Sequence, residues 1–159
     1  MKKIFLLFAF IATAFVQTGF AQQNNTSEKT VAILPSYYQL KDALVAGDAV
    51  LAASKAAELI KAVGNADDKI VSKAGKADLV EHATKIAKGK DLNGQREHFA
   101  GLSTGMIALA KAAKLSAEPI YLQYCPMKKS SWLSTEKAIK NPYYGSSMLT
   151  CGKITETIK

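Results

Sequence analysis

Apolar residues recur along the middle of the chain at the three- and four-residue spacings that are typical of amphipathic helices. The first such stripe runs over about 35–63 and continues across Gly47. A second covers about 67–88, and a third covers about 92–115 with Asp91 as its expected N-cap. Because only short turns join these stretches, the pattern predicts a three-helix antiparallel bundle.

The pattern changes after Pro119. Residues 120–124 have strand propensity, whereas residues 125–152 are rich in glycine, proline, serine and aromatic side chains. A short helix is expected near 134–140. We therefore predict a mainly α fold, in which an irregular C-terminal segment with one short strand and one short helix covers the open side of the bundle.

The N-terminus has the features of a cleavable export signal. Two lysines precede an apolar run over 4–16, and the small residues that end at Ala21 suit a signal peptidase. The run is shorter than the roughly 20 apolar residues that span a bilayer, so no transmembrane span is expected after cleavage near Ala21. The predicted location is the periplasm. The predicted units are a signal peptide over 1–21, a flexible leader over 22–32 and a single domain over 33–159.

Charge and motifs exclude several functions. The formal net charge is +8, but the lysines are spread along the chain with few aromatic residues among them. This distribution indicates a solvated surface rather than a binding site for polyanions, and no nucleic-acid-binding motif is present. The chain also lacks C-x-x-C, C-x-x-C-H, H-E-x-x-H and a glycine-rich phosphate loop. We therefore expect a binding protein and not an enzyme.

Two cysteines and two methionines form the strongest candidate site. Cys125 and Met127 are two residues apart, so in a strand both side chains face the same way. Met148 and Cys151 are three residues apart, so one helical turn brings them together. Thiolate and thioether are soft ligands that favour Cu(I) or Ag(I) over hard cations. In an oxidising compartment the cysteines could equally form a disulfide, and the residues alone leave both alternatives open.

Two histidines are further candidate ligands. His82 and His98 lie at equal distances on either side of the turn expected at position 90. At about 1.5 Å of rise per residue, both should sit about 12 Å from that turn, at or beside the apolar stripes where the two helices meet. The alternative is a pair of ordinary boundary histidines with no ligand.

Several stretches, taken together as an ordered set, resemble the bacterial domain-of-unknown-function family 3347 (DUF3347). These stretches are YYQLKDAL at 37–44, QREHF at 95–99, YCPM at 124–127, WLS at 132–134, NPYYG at 141–145 and MLTCG at 148–152. Members of that family occur as small exported proteins. They also occur joined to adaptor subunits of copper and silver efflux pumps, the CusB-like membrane fusion proteins.

The resemblance implies a heavy-metal role in the periplasm. On this basis the expected function is to bind Cu(I) or Ag(I) and to deliver it to a metal-efflux adaptor or another periplasmic metal protein. The expected ligands are Cys125, Met127, Met148 and Cys151, with His82 and His98 as additional candidates. The alternative function is a disulfide-stapled interaction module of the cell envelope that binds no metal.

Overall fold

The computed structural model of the chain describes residues 32–159, so the expected signal peptide and most of the expected leader lie outside the described residues. Helices dominate the first part of the described chain, and the mainly α class is confirmed. The helices are α1 over Ile33–Ala46, α2 over Ala49–Gly64, α3 over Lys73–Lys88 and α4 over Leu92–Ala112. Each helix packs against the next one along the chain. In this described part, no helix is long and apolar enough to cross a membrane.

The first predicted helix is in fact two helices, so the prediction of a three-helix bundle is wrong in its count. Gly47 adopts a left-handed φ of +76° and ends α1. Asp48 then acts as the N-cap of α2, since its side chain accepts a hydrogen bond of 2.8 Å from the Leu51 amide. A glycine in the left-handed region followed by an aspartate cap terminates one helix and starts another, although the apolar stripe continues across both.

The other two predicted helices exist, with shifted ends. Ser72 caps α3 by accepting a hydrogen bond from the Gly75 amide, so this helix begins later than the expected 67. Asp91 caps α4 as predicted, since its Oδ1 accepts a hydrogen bond of 2.9 Å from the Gly94 amide. The glycine at position 94 therefore takes part in the first turn of the longest helix.

The C-terminal part contains more strand than the sequence predicts. Three antiparallel strands form one sheet in the order β2-β1-β3. These strands are β1 over Ile120–Cys125, β2 over Ser130–Ser134 and β3 over Lys153–Ile158, and a 3₁₀ helix covers Gly145–Met148. In the register, Tyr121 lies opposite Ser134 on one side and Thr157 on the other.

The short helix expected near 134–140 is absent, and β2 with a bent connection occupies this region. The side-chain amide of Gln123, which is fully buried on β1, donates to the backbone carbonyls of Glu136 and Ala138. Those carbonyls are therefore bound by a neighbouring strand and not by amides of their own helical turn. A tertiary contact thus overrides the local preference for helix.

Aromatic side chains join the sheet to the helices. Phe99 of α4 stacks on Tyr37 of α1, with ring centroids 5.3 Å apart. Tyr143 lies 5.8 Å from Phe99 and meets Trp132 of β2 edge to face at 5.9 Å. All four rings are buried, and Trp132 is the largest fully buried side chain. The C-terminal segment therefore covers the helices as expected, through a continuous aromatic core.

Candidate metal site

Sheet register brings the two cysteines together. Cys125 is the last residue of β1, and Lys153, the first residue of β3, lies opposite Tyr124. Because β1 and β3 are antiparallel, the chain that leads into β3 passes the end of β1, and Cys151 arrives beside Cys125. The two Sγ atoms are 3.9 Å apart, and both thiols are free.

This separation fits two sulfur chemistries. A metal bonded to two thiolates at about 2.3 Å holds their sulfurs about 3.8–4.6 Å apart, depending on the bond angle. A disulfide needs a sulfur–sulfur distance of about 2.05 Å and hence a further approach of the two side chains. The observed 3.9 Å lies within the metal-bridged range. It is also short enough for the thiols to meet after a small local movement.

The two thiols differ in acidity. Burial raises the pKa of the Cys125 thiol, but hydrogen bonds outweigh that effect and bring its pKa below the ordinary value of 9.0. The largest of these opposing effects comes from the backbone amide of Lys128, which donates to Cys125 Sγ over 3.4 Å. Burial and the neighbouring Cys125 raise the pKa of the Cys151 thiol. Of the two thiols, Cys125 therefore loses its proton more readily, because hydrogen bonds to a charged sulfur stabilise it.

The two methionines flank the thiols and reach solvent. Met127 follows Cys125 in the loop between β1 and β2, and its residue is 62% exposed. Met148 ends the 3₁₀ helix and is 40% exposed, and its carbonyl accepts a hydrogen bond of 3.1 Å from the Cys151 amide. Each methionine thus lies within three residues of one cysteine along the chain. Exposed methionines are unusual, since this side chain normally fills apolar cores.

The histidines form a separate pair. The ring centroids of His82 and His98 lie 6.2 Å apart, between α3 and α4, at the similar height that their spacing predicts. Within residues 32–159, no three or more His, Cys, Asp or Glu side chains converge as a group that could hold a metal ion. The structure therefore brings the two cysteines together and the two histidines together, as two separate pairs.

Asn141 supports the thiol pair and was not among the residues predicted to form the site. It is fully buried, and its side-chain amide donates to the Cys151 carbonyl over 2.8 Å. Its backbone amide donates to the Leu149 carbonyl, and its Oδ1 accepts from the Tyr143 amide. Asn141 thus fixes the course of the segment that carries Cys151. An Asn-Pro dipeptide is typical of a turn, and nothing local marks this asparagine as a buried residue that holds the segment in place.

Arg96 is a second residue whose role the sequence did not indicate. Its Nε donates to the Pro142 carbonyl and its Nη2 to the Leu44 carbonyl, each over 3.0 Å. It lines a polar cavity of about 430 Å³, together with Lys128 and Tyr143. The guanidinium therefore connects α4 to the end of α1 and to the segment that follows β2.

Residues 101–105 have the spacing G-x-S-x-G, the pattern of the nucleophile elbow in some hydrolases. In this chain the stretch lies inside α4, whereas the elbow requires a sharp turn between a strand and a helix. Ser103 is fully buried, and its hydroxyl is hydrogen-bonded to the Tyr37 hydroxyl. Its surroundings are those of a core contact between helices.

A family model described as a protein of unknown function (DUF3347) matches residues 33–118. The matched range contains α1 to α4 and ends before β1, so it includes both histidines and neither cysteine. The C-terminal stretches that contribute to the resemblance lie outside this range. No curated protein and no solved structure matches the chain.

Proposed function

The chain belongs to the DUF3347 family, and from that premise we propose that it is an exported protein of the periplasm that binds Cu(I) or Ag(I) as cargo. It would buffer the ion or pass it to a metal-efflux adaptor or another periplasmic metal protein. The ligands are Cys125 and Cys151, assisted by Met127 and Met148. Binding and exchange require no catalytic turnover.

The carrying observation is the distance of 3.9 Å between Cys125 Sγ and Cys151 Sγ, two free thiols contributed by the end of β1 and by the segment that leads into β3. This distance falls within the span of about 3.8–4.6 Å for two thiolates on one metal. The lowering of the Cys125 pKa by hydrogen bonds to its sulfur supports the proposal further, because the thiolate and not the thiol is the metal ligand. Two soft sulfurs in one place favour a soft monovalent ion.

The exposed methionines supply a route for exchange. Cys125 is fully buried, whereas Cys151 is only partly buried and Met127 and Met148 reach solvent. An ion held by the thiols would therefore be approached from the side of Cys151 and the methionines. Thioethers are polarisable soft ligands, so they can hold the ion while a partner replaces one protein ligand after another.

Anaerobic Cu(I) titration of the reduced mature protein tests this proposal, with a coloured Cu(I) chelator as competitor. Wild type should bind one Cu(I), and Cys125→Ser/Cys151→Ser should lose at least about a hundredfold in affinity, because both thiolates are removed. Met127→Leu and Met148→Leu should each weaken binding by a smaller factor. Met106→Leu is the matched control, since this methionine is fully buried in the core and should not affect affinity.

Two outcomes would contradict the proposal. One is wild-type Cu(I) affinity no tighter than that of Cys125→Ser/Cys151→Ser. The other is an equal loss of affinity in the control Met106→Leu, which would indicate a general effect of altered packing. Circular dichroism of each variant establishes that its helices are intact.

The same 3.9 Å distance favours one alternative, a disulfide that staples β1 to the segment before β3 in an interaction module without metal. Cys125 and Cys151 are 26 positions apart in the chain. On the chain-entropy model, a disulfide that closes this loop contributes about 3.5 kcal/mol to the free energy of unfolding. Mass measurement of protein exported in vivo, with and without reductant, distinguishes the two. A fully oxidised pair that Cu(I) does not alter supports the staple.

A further inference from the structure

The two imidazole rings are held on different helices. His82 projects from α3 and His98 from α4, with ring centroids 6.2 Å apart and ring planes inclined by 45°. The two helices are packed against each other. Side chains carried by rigid, packed elements keep a defined separation, which is the condition for a preorganised pair of ligands.

Gly101 explains the close approach of the rings. It lies one turn after His98 on α4, and a Cβ at this position would overlap the His82 ring, with Nε2 at only 2.5 Å. The absence of a side chain at 101 therefore creates the space in which the His82 ring rests. Any larger residue at this position would displace that ring from its neighbour.

Neither nitrogen of the His82 ring is hydrogen-bonded to another group within the described residues. Its Nδ1 is buried without a hydrogen-bond partner among residues 32–159. Its Nε2 lies 4.0 Å from Asp78 Oδ1, which is beyond hydrogen-bond distance. The side chain is nevertheless 27% exposed, so an ion from solvent can reach the ring, at Nε2 and not at the buried Nδ1. Since Nε2 has no hydrogen-bond partner among the described residues, it is free to bind a ligand.

Carboxylates border the ring pair. Asp78 lies one helical turn before His82, and Glu81 precedes it directly. Glu81 is ion-paired with Lys85 at 2.6 Å, whereas the Asp78 carboxylate lies 4.0 Å from His82 Nε2. Negative charge at this position favours a cation beside them.

We propose that His82 and His98 form a second metal site, separate from the thiols, for a borderline divalent ion. Imidazole suits Cu²⁺, Ni²⁺ and Zn²⁺, and a given nitrogen site binds Cu²⁺ most tightly of these. Two rings that share one ion at about 2.0–2.1 Å have centroids about 5–6.5 Å apart. The observed 6.2 Å lies in this range. Water completes the coordination, because no third His, Cys, Asp or Glu joins such a group within residues 32–159.

Titration of the Cys125→Ser/Cys151→Ser chain with Cu²⁺ tests this site without interference from the thiols. Electron paramagnetic resonance should report nitrogen ligands on one bound Cu²⁺, and calorimetry should give its affinity. His82→Ala and His98→Ala should each weaken binding by at least about tenfold, because each removes a ligand. Gly101→Ala keeps both histidines but displaces the His82 ring, and it should also weaken binding.

Lys88→Ala, at the exposed end of α3, is the matched control and should leave Cu²⁺ affinity unchanged. Affinity that is equal in the parent, His82→Ala and His98→Ala would overturn the proposal. If the serine variant does not fold, the fully oxidised wild-type chain, verified by mass, takes its place. Since the thiols take no part in either experiment, the result is independent of Cu(I) binding by the cysteines.

Discussion

The Tyr37 hydroxyl lies 2.7 Å from Ser103 Oγ, and the same hydroxyl accepts a hydrogen bond of 3.2 Å from the Leu133 amide. One phenol oxygen thus joins α1, α4 and β2 in the core. All three residues are buried, so water cannot replace these bonds. The hydroxyl therefore adds a polar connection between the sheet and the helices to the aromatic contacts that already join them.

Tyr37→Phe should lower the free energy of unfolding by about 1–3 kcal/mol, because it leaves the buried Leu133 amide and Ser103 hydroxyl without a partner. Tyr38→Phe is the matched control. The Tyr38 hydroxyl is buried without a hydrogen-bond partner in the described residues, so its removal should cost nothing or stabilise the fold slightly. Urea denaturation of the two variants provides the comparison, and equal losses would refute this role of Tyr37.

Gly47→Ala should destabilise the chain by about 1–2 kcal/mol, since a Cβ is strained in the left-handed conformation. Its φ of +76° is what ends α1 and allows α2 to begin. Gly64→Ala is the contrasting variant, because a Cβ there meets nothing within 4 Å. It should stabilise α2 by up to about 1 kcal/mol. Thermal denaturation should give shifts of opposite sign, and a loss at both positions would contradict the prediction.

Arg96→Met should lower the free energy of unfolding by about 2 kcal/mol, because it removes two hydrogen bonds from a charged donor. The Pro142 carbonyl loses this donor, and the Leu44 carbonyl keeps only the bond of 3.3 Å from the Gly47 amide. Arg96→Lys should not restore the loss, since lysine lacks the planar fork that reaches both carbonyls. Lys90→Met, at an exposed position before α4, should stay within about 0.5 kcal/mol of wild type. Full rescue by lysine in denaturation experiments would argue against the two-carbonyl contact.

Stability should fall steeply in alkaline solution. Burial raises the pKa of Tyr37, Tyr38 and Tyr143 above the ordinary value of 10.0, so all three stay neutral in the fold. Above pH 10 the unfolded chain releases these protons and the folded chain does not, which favours unfolding. The contribution of these neutral phenols to the free energy of unfolding is fully present below pH 10. Above pH 10 it is lost at roughly 1.4 kcal/mol per group for each pH unit.

Urea denaturation at about pH 8 and about pH 11 measures this loss. Tyr37→Phe should reduce the dependence of stability on pH, since one of the three groups is removed. Ultraviolet absorbance of tyrosinate from these residues should appear together with unfolding. Unchanged stability across the alkaline range would show that the three phenols ionise within the fold.

The sequence pattern predicts the helices of this chain, except for the break between α1 and α2. Helical periodicity is a local property, so the stripe that ends in α4 and the aspartate cap at 91 can both be read from neighbouring residues. The equal spacing of His82 and His98 about the turn predicts their proximity for the same reason. The break at Gly47 was missed because the apolar stripe continues through it, and only the backbone conformation of that residue ends the helix.

The cysteines show the limit of such reasoning. Spacing along the chain identified Cys125 and Cys151 as the soft-ligand candidates, but it left open whether they meet. Their approach follows from the register of β3 on β1, a pairing between segments far apart in the chain. Local residue chemistry therefore fixes which groups can react or bind. Which of these groups lie side by side is decided by the pairing of β3 with β1 and by the buried Asn141, which holds the segment before β3. The reason is that the register of two distant strands depends on which faces they bury in the folded protein, and not on the residues next to each cysteine.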